Sequence, residues 1–85
     1  MNKKELQNKV NETVRHHYNK IITAERYEEM LCYYFGASNI ISFALRCDII
    51  DIETEKYYHA KIEQAHDKYY ENATSDFVSA HMKLF

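Results

Sequence analysis

Apolar residues fall into three stretches of different character along this chain of 85 residues. In the first, Leu6, Val10, Val14, His17, Ile21 and Ala24 recur every three or four positions, the spacing of one helix face. Lys3, Lys9, Arg15 and Lys20 fall largely off that stripe. The pattern predicts a helix from about Lys4 and leaves two continuations. Thr23 can cap a restart with Glu25 in its first turn, or the helix runs unbroken to Phe35 and stops at Gly36 as a positive-φ C-cap.

The second stretch, Leu31 to Cys47, reads LCYYFGASNIISFALRC, with Arg46 its only charge. A surface helix keeps a polar face, and this stretch is apolar nearly all round. It predicts a short helix from about Asn39 to Cys47, capped by Ser38 or Asn39, that needs cover on more than one side. In the third stretch Asp51 is a good N-cap, with Glu53 and Glu55 favouring the positive end of the helix dipole. Tyr58, Ile62, Ala65, Tyr69 and Ala73 form the stripe of a helix from Ile52 to about Ala73. Residues 72–76 read as a turn, with Thr74 or Ser75 capping a last helix that carries Phe77, Val78, Met82 and Phe85.

The expected fold is all-α, a small bundle of three to four helices in the order long, short apolar, long, C-terminal. It forms one domain over residues 1–85. Chains of this size have a thin margin of stability and often gain some by associating. The uncovered side of the apolar segment is therefore expected to be closed by oligomerisation, a homodimer being favoured. The candidate self-association or partner-binding residues are Tyr33, Phe35, Ile40, Ile41, Phe43, Tyr57 and Tyr70. Adjacent helical residues point about 100° apart, so each Tyr-Tyr pair is expected to turn one ring inward (Tyr34, Tyr58, Tyr69) and one outward (Tyr33, Tyr57, Tyr70). Tyrosine suits interfaces because its ring buries area while its hydroxyl keeps a hydrogen bond.

Composition narrows the class. There is no proline and one glycine, Gly36, whereas a small sheet protein draws on both for its turns. The apolar segment is too short for a membrane span and is interrupted by Gly36, Ser38, Asn39 and Ser42. The N-terminus has no apolar core of a signal peptide. Cys32 and Cys47 read as buried free thiols in a reducing compartment. The expectation is a cytoplasmic protein, of the producing cell or of a host, with no membrane contact.

The net charge of −2 hides an asymmetry: residues 1–20 hold five cations against two acids, and residues 21–85 hold six against eleven. A basic arm and an acidic body are expected to pair, within one chain or between two. Alternatively Lys3, Lys4, Lys9, Arg15 and Lys20 contact nucleic acid. A helix-turn-helix is disfavoured, because its reading helix would begin with Asp51, Glu53 and Glu55, which phosphates repel.

The remaining chemistry is sparse. Glu55, His59, Glu63 and His66 share a helical face, and Glu63 to His66 fits a Glu-x-x-His pattern of di-iron bundles. His59, Glu63 and His66 are thus candidate metal ligands, set against a solvated Glu/His face. The chain lacks the glycines of a nucleophile elbow or a phosphate loop, so no catalysis and no cofactor are expected. Richness in Lys, Asn, Ile, Tyr and Phe is common in AT-rich genomes, including low-GC bacteria and their phages. The leading expectation is a non-enzymatic helical protein-protein interaction module, a phage or mobile-element protein that binds and inhibits or redirects a host protein. A small nucleic-acid-associated regulator and a helical metal-binding protein are the alternatives.

Overall fold

The computed structural model describes the backbone of residues 1–83 and the side chains of residues 1–73. Three helices follow one another, α1 (Lys3–Thr23), α2 (Tyr27–Arg46) and α3 (Ile52–Lys83). There is no strand among the described residues. The all-α class agrees with the periodicity. The apolar residues expected at positions 77, 78, 82 and 85 lie outside the described side chains.

Helix α1 starts where Asn2 accepts a hydrogen bond from the backbone N–H of Glu5 at 2.8 Å. The Asn2 amide returns one to the Glu5 carboxylate at 3.2 Å. The first bond serves one of the backbone N–H groups a helix start leaves unpaired, and the second, between side chains, holds the cap in place. The first helix does not continue to Gly36: it ends at Thr23, and Ala24 is extended at φ −60°, ψ 134°. Thr23 caps nothing, because its hydroxyl donates back to the Asn19 carbonyl at 2.8 Å. The next helix is entered at Arg26, which makes no side-chain cap.

Gly36 therefore lies inside α2, and it has no positive φ. Ser38 and Asn39 are interior positions of the same helix and cap nothing. The apolar segment is the greater part of one 20-residue helix. Its apolar width is taken up by α1 along one flank and by α3 along the other, while Asn39, Ser42 and Arg46 mark a third, outward side. The left-handed position comes later, at Asp48 with φ 57°. There the N–H of Ile49 donates to the Ala44 carbonyl at 2.9 Å and that of Asp48 to the Leu45 carbonyl at 3.0 Å. This pair of bonds is the Schellman stop, whose left-handed residue is usually glycine.

The chain's one glycine is thus mid-helix, and a non-glycine residue holds the position glycine favours. Gly36→Ala is expected to stabilise by up to ~1 kcal/mol through helix propensity. A Cβ there would meet the His17 ring at 3.4 Å, ordinary contact. Asp48→Gly is expected to add about 0.5–1 kcal/mol by relieving the left-handed backbone. Urea unfolding midpoints check both, and a loss of stability in Gly36→Ala would show that the His17 ring cannot yield.

Asp51 caps α3 as its sequence predicts, accepting from the Thr54 N–H at 2.8 Å. That side-chain and backbone bonding, with the Lys3 charge added, holds the Asp51 carboxyl below its ordinary range. Helix α3 runs through residues 72–76 without the expected turn, so Thr74 and Ser75 cap no separate helix. Its ring at Tyr70 meets Tyr27 at the start of α2, 6.3 Å between centroids. The buried core is Val10, Val14, Ile21, Met30, Ala37, Ile41, Ala44, Ile50, Tyr58, Ile62 and Ala65. Every helix contributes, and the alanines admit close approach of backbones. Of the stripe read on α3, Tyr69 is half-buried and Ala73 exposed. Across the helices, Gln7 donates to the Ile49 carbonyl at 2.9 Å, Tyr58 to Asn11 at 3.3 Å and Lys68 to the Tyr18 hydroxyl at 2.9 Å.

Candidate functional site

Helix α2 gives the molecule its unusual surface. Burial of Met30, Ala37, Ile41 and Ala44 fixes which side faces inward. At about 100° per residue the opposite side carries Glu28, Cys32, Phe35, Asn39, Ser42 and Arg46, with Phe43 at its margin. Phe35 is 57% exposed and Phe43 65%, two phenyl rings left open on one helix. Tyr27, Ile52, Tyr57 and Tyr70 are also exposed large hydrophobics.

This placement sorts the expected contact residues. Phe35, Phe43, Tyr57 and Tyr70 stand outward. Ile41 does not: it is fully buried, on the strip of α2 that faces the other helices, and it is a core residue. Ile40 is half-buried. Tyr33 is half-buried as well, its ring edge-on to His17 at 5.6 Å and to His16 at 6.3 Å, so the α1–α2 flank holds the ring expected to face solvent. Both cysteines are exposed, contrary to the expectation of buried thiols. Cys32 belongs to the outward strip and Cys47 follows the last turn of α2.

The cations of α1 are dispersed. Lys3, Lys4, Lys9, Arg15 and Lys20 are all exposed. Lys4 and Arg15 lie about 20° apart around the helix, as do Lys9 and Lys20, and the two rows are separated by more than about 100°. Among the described residues no lysine or arginine forms a close ion pair with a carboxylate, and the basic arm meets the acidic body there only through the longer-range pull of Lys3 on Asp51. Arg15 instead lines an open groove between α1 and α3 with Tyr18, Tyr57, Tyr58 and Lys61. There Lys61 stands 5.7 Å from the Tyr57 ring, and Lys68 5.6 Å from that of Tyr18.

On the α2–α3 flank the Tyr34 hydroxyl donates to a Glu63 carboxylate oxygen. That bond, followed by burial and the negative charges of Glu63 and Asp67, pushes the Tyr34 phenol up to about 12 from 10.0. A raised pKa in the fold means that the neutral phenol is favoured there. Its contribution to stability is whole below about pH 10 and is lost as pH rises through about 12. Tyr34→Phe is expected to flatten the alkaline loss of stability across that window, read as urea midpoints against pH.

Next to this pair the expected metal ligands regroup. His59 stands one turn before Glu63 and faces Glu55, 4.0 Å away. Glu63 and His66 instead come together with Asp67, one ligand atom of each within 4.8 Å of the others. Asp67 stands four residues after Glu63 and is legible from that spacing, but the four-residue steps from Glu55 through His59 to Glu63 point to His59 instead. The His66 ring lies between Tyr34 and Tyr70, at centroid distances of 5.0 and 4.8 Å.

No helix among the described residues is long and apolar enough to cross a membrane. Comparison with family models, curated proteins and solved structures finds no match to the chain.

Proposed function

We propose that the chain is a non-enzymatic helical interaction module that docks through the outward face of α2. The observation that supports this reading is the exposure of Phe35 and Phe43, 57% and 65%, on one helix. A chain this small gains by burying such side chains at about 25 cal/mol per Å² of apolar area. Tyr27 and Tyr70 (centroids 6.3 Å apart) extend the apolar character toward the α2–α3 seam. Large aromatic side chains are the usual anchors of protein interfaces. The composition fits a phage or mobile-element protein, and the partner is then a host protein inhibited or redirected by occlusion of its surface. Self-association through the same face is the second use it supports.

The nucleic-acid reading draws less support, because the five cations of α1 do not share one face. The test is affinity capture from the lysate of a low-GC bacterial host, with Phe35→Asp/Phe43→Asp as the matched control. Light scattering of both chains runs alongside. The expected result is a stoichiometric partner, or a dimer, with the natural chain and its loss with the variant. A monomer that retains nothing from the lysate, or a variant that retains the same partner, would overturn the reading.

A further inference from the structure

His66 carries an unmet need. Its Nδ1 is the one buried side-chain nitrogen or oxygen without a hydrogen-bond partner among the described residues. Buried polar atoms are nearly always satisfied, and an exception calls for a partner. The nearest carboxylate oxygen, Asp67 Oδ1, is 3.6 Å away, too far for a good hydrogen bond. The separation suits something else. Two ligand atoms at about 2.1 Å from a tetrahedral ion stand about 3.4 Å apart. Glu63 offers a third donor atom within 4.8 Å of the other two, a separation that a turn of its exposed carboxylate must close by about 1 Å to match.

The surroundings hold these groups in position. Tyr34 and Tyr70 flank the imidazole and restrict its rotation. The Tyr34 hydroxyl bonds to Glu63, the part an outer-shell donor plays for a ligating carboxylate. We infer that Glu63, His66 and Asp67 bind a divalent transition cation of the zinc type, with water completing its coordination. One imidazole nitrogen with two carboxylates suits Zn²⁺, Co²⁺ or Ni²⁺, whereas Mg²⁺ and Ca²⁺ prefer all-oxygen sets. The inference is independent of the interaction surface on the outer face of α2.

The experiment is a titration of the full chain with Co²⁺, followed by NMR of the histidine ring signals. The five histidines report separately. The His66 signal is expected to broaden first, at substoichiometric metal, with Zn²⁺ in excess restoring it and Mg²⁺ not. Asp67→Asn, an exposed change that leaves the core intact, is expected to weaken the effect at His66 at least tenfold. A circular dichroism spectrum confirms that the variant is folded. Broadening of all five histidines alike, an unaffected His66, or equal affinity in folded Asp67→Asn would overturn the assignment.

Discussion

Ile41→Asp is expected to unfold the chain, and Phe43→Asp is not, although the two residues are neighbours in one apolar helix. Ile41 has no exposed surface and Phe43 keeps 65%. Truncating a buried isoleucine to alanine costs about 2–5 kcal/mol. An unpaired carboxylate in the same place adds a desolvation penalty of several kcal/mol more. A chain of this length has a total stability on the order of 4–13 kcal/mol, so the aspartate takes most or all of it. Far-UV circular dichroism and urea unfolding should show a largely unfolded Ile41→Asp chain. Phe43→Asp should stay within about 0.5 kcal/mol of the natural chain. Its effect should be on association, weakened at least tenfold, or about 1.4 kcal/mol. A folded, cooperative Ile41→Asp chain would show that α2 is rotated from the position described.

The second large effect is expected on α3. Ile62 is 1% exposed and Ile52 57%, on the same helix and with the same side chain. Ile62→Ala should cost about 2–5 kcal/mol, through lost burial and the cavity left between helices. Ile52→Ala should cost no more than about 0.5 kcal/mol, because that side chain meets mostly water. Matched urea midpoints measure both. Equal losses would mean that Ile52 is covered in solution, extending the docking surface to the start of α3.

The three-and-four spacing of Val10, Val14 and Ile21, and of Tyr58, Ile62 and Ala65, was enough to place the core faces of α1 and α3. The Asp51 cap was equally legible, because its side chain needs only its own neighbours to act. The break between α1 and α2 was not. It has no glycine or proline, Thr23 bonds backward to Asn19, and Arg26 makes no side-chain cap. Gly36 drew the boundary to itself because glycine is the usual stop, whereas the stop is made by backbone bonds around Asp48. The inward side of an almost uniformly apolar helix cannot be read from apolar spacing, which is why Ile41 and Phe43 looked alike. The Glu63, His66 and Asp67 cluster was half visible, since Tyr70 follows His66 by one turn of the same helix whereas Tyr34 reaches it only through the packing of α2 on α3.

Two exposed thiols on or beside the outward face of α2 have a practical consequence for anyone handling the protein. Under air, Cys32 of one molecule can oxidise onto that of another, linking two chains covalently across the very surface whose reversible association is in question. Such a product would survive dilution and counterfeit a tight dimer, so sizing belongs in reductant or in a Cys32→Ser/Cys47→Ser background. The same thiol turns to advantage as an attachment point for a fluorophore one turn from Phe35, where arrival of any partner would change the dye's emission.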